Sequence, residues 1–134
     1  MTDFPQKDYF PLHEQQCRCC GRGRWAPTFH AKMNELREAC GFPLPVTSGC
    51  RCEPHNARVG GGDLSAHLMD EDDECSSADI HVSGYKAHFV IREAGRLGFA
   101  GIGIKQSGDV AKRLIHLDDA PEIPGRPRPW IWSY

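Results

Sequence analysis

Residues 48–82 read SGCRCEPHNARVGGGDLSAHLMDEDDECSSADIHV and contain three side chains suited to chemistry, Arg51, His67 and Asp79. A further histidine, His116, follows in the later segment LIHLDD. Two imidazoles and one carboxylate are donors that a catalytic zinc ion accepts, and three protein ligands leave a fourth coordination position for water. These four residues are therefore the first candidates for a functional site.

Two of the segments that carry these candidates have the pattern of a β-strand. Apolar and polar residues alternate over residues 78–82, which predicts a half-buried strand with Asp79 on its polar face. Residues 113–118 alternate in the same way, so that His116 and Asp118 share one face. We therefore expect the candidates to project from a sheet.

Two longer segments have helical periodicity. Apolar residues recur at helical spacing over residues 27–40, and Gly41 can end that helix. A second helix is predicted over residues 85–97, capped by Ser83 and ended by Gly98. Together with further short strands, these helices indicate an α+β fold; the strands are expected at residues 46–47 and 101–104.

Length, charge and hydropathy narrow the class of protein. The 134 residues correspond to a single domain, residues 1–134. A net charge of -2 without a long basic run argues against a nucleic-acid partner, and no apolar run is long enough for membrane insertion. The N-terminus lacks the basic start and apolar stretch of a secretory signal, so we expect synthesis in the cytoplasm.

Both ends of the chain are rich in residues that break regular structure. Residues 1–26 contain prolines, glycines and three cysteines, and are expected to form an irregular segment. Residues 121–134 form a tail that is broken by prolines and then aromatic. Trp130 and Trp132 could stack on sugar rings, but packing as a closing strand is the favoured interpretation.

The seven cysteines leave two interpretations open. Without a signal peptide, a full disulfide framework is not expected. One interpretation is a second, structural zinc ion bound by Cys17, Cys20 and the Cys50/Cys52 pair, although the spacing matches no clean paired-knuckle pattern. The other is a set of reduced thiols, with one or two bridges formed after release.

The motifs SGCRCEPHN, VGG, SAH, ADIHV, GIGI and IHLD, in that order, resemble the zinc D-alanyl-D-alanine carboxypeptidase family. That family includes the L-alanyl-D-glutamate endopeptidases of phage endolysins. The likeness covers roughly residues 27–120 and is closest to small single-domain members. It implies the α+β hedgehog/DD-peptidase fold, in which a small antiparallel sheet carries the metal site and helices pack on one side.

The resemblance also implies roles for individual residues. His67, Asp79 and His116 would be the ligands of a catalytic Zn²⁺ ion. Arg51 would bind the substrate and stabilise the developing oxyanion. Ser65 would support the site through hydrogen bonds near the metal or the substrate.

The chain departs from the family pattern in the spacing of the first two ligands. They are twelve residues apart, whereas family members usually have them seven apart, so the acidic run 70–74 looks like an insertion of five residues. A run of like charges is expected to stay solvated in a loop. The site can accommodate it, because loop closure costs only about 0.6 kcal/mol per doubling of loop length.

The general base is a second departure. Many relatives carry an Asp, Glu or His shortly before the last zinc-binding histidine, whereas residues 111–115 here are AKRLI. Asp118 is the first candidate for this catalytic role, and His81 and Asp109 are weaker ones. Asp118 could instead orient His116 as a partner behind the metal ligand.

The resemblance implies metal-assisted hydrolysis of an amide bond in a peptidoglycan stem peptide, of the D,D-carboxypeptidase or the L-Ala-D-Glu endopeptidase type. A monomer that acts on the cell wall after release is expected. Two other classes stay open. One is a zinc-bearing cell-wall binding module without catalysis, and the other is an interaction module built on a cysteine–zinc site within residues 17–52.

Overall fold

The computed structural model describes residues 7–134 as a mixed α+β fold. These residues form four helices and seven strands, with one 3₁₀ turn at Val110–Lys112. The helices are α1 (Leu12–Gln15), α2 (Pro27–Cys40), α3 (Glu53–Arg58) and α4 (Gly84–Leu97), and the strands are β1 (Arg24–Trp25), β2 (Val46–Ser48), β3 (Glu74–Cys75), β4 (Ser77–Ile80), β5 (Gly101–Lys105), β6 (Leu114–Asp118) and β7 (Trp130–Ser133).

The two long helices confirm the periodicity of the sequence. Helix α2 begins at Pro27, whose missing N–H costs nothing in the first turn, and it buries Phe29, Met33 and Leu36 on one side. It ends at Gly41, which has a φ of 73° that a residue with a side chain rarely adopts. Helix α4 packs against α2 and against β6, so both helices cover one side of the main sheet.

The main sheet places two of the candidate residues directly opposite each other. Its strand order is β2-β4-β6-β5-β7, and Asp79 of β4 is the cross-strand partner of His116 of β6. Neighbouring strands are antiparallel except for β7, which runs parallel to β5 and makes the sheet mixed rather than purely antiparallel. The C-terminal tail therefore forms the closing strand that was predicted for it.

Strand β4 is shorter and more buried than the sequence pattern predicted. It covers Ser77–Ile80, and all four of its residues are buried, including the polar Asp79. His81 lies beyond the end of the strand and is exposed. The half-buried strand expected over residues 78–82 is therefore wrong in two respects, because the strand ends at Ile80 and both of its faces are covered.

The described part of the N-terminal segment, residues 7–26, and the acidic run are more ordered than expected, whereas residues 1–6 of that segment lie outside the described residues. The segment contains α1 and β1, and β1 pairs in parallel with β3 at the end of the acidic run. The Nε atom of Arg24 lies 2.9 Å from Oε2 of Glu74, and Arg22 lies 3.4 Å from Asp73. Residues 70–74 are therefore not a freely solvated loop, since their last part is held by β1.

A disulfide joins Cys50 to Cys75 and closes the loop that carries His67. Cys50 is therefore not available as a metal ligand, and its predicted place in a cysteine–zinc site is wrong. Side chains two residues apart in extended backbone point the same way, but the chain turns into α3 at Cys52, so the two thiols separate. The bridge links β3 to the segment that follows β2.

We expect the double variant Cys50→Ser/Cys75→Ser to lower the free energy of unfolding by about 3 kcal/mol, because a bridge over a loop of this size constrains the unfolded chain. The two cysteines are 25 residues apart in sequence. Denaturant unfolding without reductant measures the change. Cys40→Ser, at a free cysteine of α2, is the matched control, and an unchanged unfolding midpoint in the double variant would show that the bridge contributes nothing.

Candidate metal centre

Three buried donor atoms converge at the centre of the sheet face opposite the helices. Nε2 of His67 lies 3.2 Å from Nδ1 of His116, and both nitrogens lie near Oδ1 of Asp79, at 3.2 and 3.0 Å. All three residues are buried. The predicted ligands therefore meet at one point, although 49 residues separate the two histidines in sequence.

Hydrogen bonds on the outer side of each ring set the direction of its lone pair. Nδ1 of His67 lies 2.6 Å from the carbonyl oxygen of Gly49, and Nε2 of His116 lies 2.7 Å from Oδ2 of Asp118. Each acceptor requires an N–H, so each ring turns its unprotonated nitrogen towards Asp79. Three acceptor atoms thus face one another, an arrangement that a cation satisfies.

The charges around this point are strongly coupled. Burial opposes ionisation of Asp79, but the two imidazoles hold the pKa of its carboxyl well below its usual range. Burial lowers the pKa of His67. Burial also acts to lower the pKa of His116, but the carboxylates of Asp118 and Asp79 outweigh it and raise that pKa. Asp79 is therefore a carboxylate at neutral pH, as a metal ligand must be.

Arg51 lies beside the three donors and is held in place by its own hydrogen bonds. Its Nε donates to Oγ of Ser48 at 3.0 Å, and its Nη1 to Oδ1 of Asn56 at 3.3 Å. Its Nη2 lies 3.3 Å from Oδ2 of Asp79, and only 13% of the side chain is exposed. The guanidinium is thereby fixed next to the candidate metal position.

Two small residues, Ser65 and Gly49, support the position of His67. Oγ of Ser65 accepts the backbone N–H of His67 at 3.2 Å, so Ser65 supports the backbone of a candidate ligand. Gly49, whose carbonyl orients His67, is pressed against Gln15; a Cβ atom there would lie 2.5 Å from the Gln15 carbonyl oxygen. Glycine is required at residue 49 for the chain to bring that carbonyl to the ring.

Asp118 is fully buried, and both of its carboxylate oxygens accept hydrogen bonds. Its Oδ2 binds His116, and the guanidinium of Arg128 pairs with both of its oxygens at 2.9 Å. Its Oδ1 also accepts the N–H of Ala120. Burial opposes it, but His116 and Arg128 lower the pKa of Asp118 to about 2. These contacts are those of a residue that positions His116, and not of one that exchanges a proton with a substrate.

We expect Asp118→Asn to weaken zinc binding by about 10–100-fold, as changes behind a metal ligand do. It should also lower the free energy of unfolding by about 3 kcal/mol, because the side chain of Arg128, 9% exposed, keeps a buried charge without a partner. Zinc titration and denaturant unfolding measure the two effects, with the exposed Asp63→Asn as the matched control. The double variant with Arg128→Met should recover stability but not zinc affinity; recovery of both would contradict the positioning role.

Strand β7 covers His116 with an aromatic ring. His116 pairs with Gly103 of β5, and Gly103 pairs with Trp132 of β7. The ring centroids of His116 and Trp132 are 5.1 Å apart, because the indole lies over Gly103; a Cβ atom there would lie 2.7 Å from it. The guanidinium of Arg128 lies 5.1 Å from the indole centroid. The tail thus shields one side of the candidate ligand.

The three donors open into a cleft of about 670 Å³. One wall is the glycine loop Gly60–Gly62 with Ser65, and another is the tail with its tryptophans and Tyr134. Of residues 7–134, four cationic residues line the cleft and only one acidic residue, Asp79, does so; the cations are Arg51, Lys105, Arg126 and Arg128. The cleft therefore favours an anionic ligand.

The weaker candidates for the general base do not line this cleft. His81 is exposed, and its Nε2 lies 3.3 Å from the carbonyl oxygen of Val110. Asp109 accepts the N–H of Ala111 and caps the 3₁₀ turn. Among the described residues, Lys105 and Tyr134 also line the cleft, and burial raises the pKa of the Tyr134 hydroxyl.

The sequence patterns did not identify Arg128 or Tyr134 as parts of the site, and for Trp132 they favoured a closing strand over contact with a ligand. All three lie in the proline-rich tail, where no periodicity indicates a contact with His116. A charge argument could have found Arg128. Asp118 was predicted on the face of a buried strand, and a buried carboxylate requires a cation.

A family model described as Peptidase M15 matches residues 9–118 of the chain. A search of curated proteins found no match. The matched range includes Arg51 and the three convergent donors, and it ends at Asp118. Strand β7 and Arg128 therefore lie outside the matched region.

Proposed function

The chain belongs to the peptidase M15 family, whose members use zinc, and from that premise we propose that it hydrolyses an amide bond in peptidoglycan stem peptides. The observation that carries the proposal is the convergence of one ring nitrogen from each of two histidines and one carboxylate oxygen beside a fixed guanidinium, inside a cationic cleft. No helix within residues 7–134 is long and apolar enough to cross a membrane.

The donor set fits zinc. His67 would bind through Nε2, His116 through Nδ1 and Asp79 through a carboxylate oxygen, which is a set of nitrogen and oxygen ligands that zinc accepts. Zinc bound there would supply Lewis acidity to a peptide carbonyl and lower the pKa of a water molecule. Gly49 and Asp118 hold the two rings in the tautomers that this binding needs.

Arg51 would bind the substrate and stabilise negative charge on the carbonyl oxygen in the transition state. A guanidinium has five N–H donors, and the hydrogen bonds to Ser48, Asn56 and Asp79 use three of them within the described part of the chain. The other two are left for a ligand. Because the side chain is already held in place, little reorganisation is needed when charge develops.

The cleft also supports the class of substrate. A peptidoglycan stem peptide is short and carries carboxylates, and the cations that line the cleft exceed its acidic residues. Within residues 7–134, neither Lys105 nor Arg126 forms an ion pair with an acidic side chain, and the guanidinium of Arg126 donates to the carbonyl oxygens of Pro121 and Leu64. We therefore assign these two side chains to the binding of substrate carboxylates. We further propose that the protein acts on the cell wall after its release.

The test is digestion of purified peptidoglycan by the zinc-loaded protein, followed by mass spectrometry of the soluble fragments. Release of free D-alanine would identify a D,D-carboxypeptidase, and new amino termini on D-glutamate would identify an L-Ala-D-Glu endopeptidase. The absence of any newly cleaved amide bond, with zinc bound and the protein folded, would contradict the proposal.

One observation favours a second function, that of a zinc-bearing binding module without catalysis. Among the described residues, no carboxylate other than Asp79 lines the cleft, and Asp118 is fully engaged by His116 and Arg128. A module of this kind would bind peptidoglycan fragments with zinc present and release no product. Cosedimentation with insoluble peptidoglycan, measured beside the digestion, separates the two functions.

A further inference from the structure

A second group of metal-binding side chains lies where the N-terminal segment meets the start of α3. The Sγ atoms of Cys17, Cys20 and Cys52 all lie within 4.8 Å of one another. Those of Cys17 and Cys52 are 3.7 Å apart. None of the three lines the cleft, so the proposed peptidase function gives them no role.

Cys17 and Cys20 lie on a tight turn that directs both of their thiols to one point. Cys17 and Cys20 have the two-residue separation of many zinc-binding cysteine pairs. The turn is closed by hydrogen bonds from the N–H of Cys17 to Arg22 and from Gly21 to Cys17, at 2.8 and 2.9 Å. Gly21 has a φ of 71°, which the tight turn requires and glycine adopts without strain.

Backbone and side-chain donors surround these sulfur atoms. Sγ of Cys17 accepts the N–H groups of Cys19 and Cys20, and also that of Cys52 at 3.4 Å. Arg22 forms a hydrogen bond with Cys20, so a cation adjoins the second thiol as well. N–H groups and cations stabilise thiolates, which are the form that binds metal.

Cys52 repeats the local geometry of the turn. Its sulfur accepts the N–H of His55, three residues on, as the sulfur of Cys17 accepts that of Cys20. The thiol of Cys19 lies nearby, where it accepts an N–H of Arg58 at 2.8 Å, and it contributes to raising the pKa of Cys52. Cys50 is bonded to Cys75, so it does not compete with Cys52 for the same partners.

We propose that Cys17, Cys20 and Cys52 bind a second, structural zinc ion. Three thiolates suit zinc, which is four-coordinate in structural sites and accepts sets of three cysteines with one further ligand. The three sulfur atoms that lie within 4.8 Å of one another do not include the fourth ligand. We assign that position to Cys19, which lies between Cys17 and Cys20, or to His55, which follows Cys52 at the spacing of the first pair. The proposal does not depend on the peptidase function.

Such an ion would hold Arg51 from one side while the disulfide holds it from the other. Arg51 stands between Cys50 and Cys52 in sequence. Its backbone N–H donates to the carbonyl oxygen of His67 at 2.7 Å, and its carbonyl accepts the N–H of Met69 at 3.3 Å. The structural ion would therefore tie the N-terminal segment to the backbone that aligns Arg51 with His67.

The test is the zinc content of the full chain, purified without chelator and measured by elemental mass spectrometry. We expect two zinc ions in the wild type, one in Cys20→Ser and one in His67→Ala. Cys40→Ser, at a cysteine of α2 outside the cluster, should keep two. A wild-type content of one that Cys20→Ser retains would overturn the proposal.

Two further measurements keep the proposal falsifiable if Cys20→Ser fails to fold. Cobalt added to the metal-free His67→Ala protein should give the charge-transfer bands of thiolate ligands, and their absence would overturn it. A disulfide between Cys17 and Cys52 in freshly isolated protein would also overturn it. If His67→Ala keeps all the zinc of the wild type while Cys20→Ser loses it, the proposed peptidase site fails and this proposal stands.

The fourth ligand is tested with the same cobalt spectrum. Loss of one thiolate contribution in Cys19→Ser would assign that position to Cys19. A shift of the visible bands in His55→Ala, with the thiolate bands unchanged, would assign it to His55. An unchanged spectrum in both variants would contradict the assignment of the fourth ligand.

Discussion

His67→Ala is expected to abolish both tight zinc binding in the cleft and the release of peptide fragments from peptidoglycan. The variant removes one of three convergent donors, the nitrogen that lies 3.2 Å from both Asp79 and His116. Substitution of a residue that hydrogen-bonds to a metal ligand lowers metal affinity or activity by about 10–100-fold. Removal of the ligand itself should therefore lower them by more than about 100-fold. Zinc titration and digestion of purified peptidoglycan measure the two losses.

The matched control for this variant is His81→Ala. His81 is exposed, lies just beyond β4 and does not line the cleft. It should keep zinc affinity and hydrolysis at the wild-type level, while circular dichroism verifies that both variants are folded. Full hydrolysis by folded His67→Ala would mean that the three convergent donors are not the catalytic centre.

Arg51→Ala is expected to lower kcat by about 10²–10³-fold, the effect of removing one donor that stabilises a developing oxyanion. Zinc should remain bound, because Arg51 contacts Asp79 but is not one of the three convergent donors. Arg51→Lys should recover only part of the activity. A single ammonium group cannot reproduce a fork that reaches Ser48, Asn56 and Asp79 together.

The matched control is Arg92→Ala on α4. Arg92 is exposed and pairs with Glu93 on the same helix, so its removal should leave kcat and KM unchanged. Wild-type kcat in Arg51→Ala would exclude a role in the transition state. Loss of zinc in Arg51→Ala would instead show that the guanidinium acts by holding Asp79 in place.

Local patterns in the sequence predicted the long elements and the candidate ligands. Helix α2 has the predicted bounds, and α4 begins one residue before the predicted start. Both helices are followed by a glycine with positive φ, and a glycine at the end of a helical pattern can be recognised in the sequence. His67, Asp79 and His116 could be proposed because their motifs stand in the order known from a family.

Contacts between distant segments could not be predicted in this way. The pairing of β1 with β3 and the Cys50–Cys75 bridge join residues about 25 to 50 positions apart, and no periodicity encodes such partners. The sequence left a catalytic and a positioning role open for Asp118, because its partner Arg128 lies in a segment without pattern. A polar residue on a strand face can be catalytic, or it can position a metal ligand. The side chains around it in the structure distinguish the two roles.

The position of the last residue has a practical consequence for anyone who prepares this protein. Tyr134 lines the cleft, and its backbone N–H is bound to the carbonyl oxygen of Ile104 at 3.1 Å. An affinity tag fused after Tyr134 would therefore start at the wall of the cleft and compete with a ligand for that space. A tag at the other end, with the final strand left whole, keeps assays of this protein interpretable.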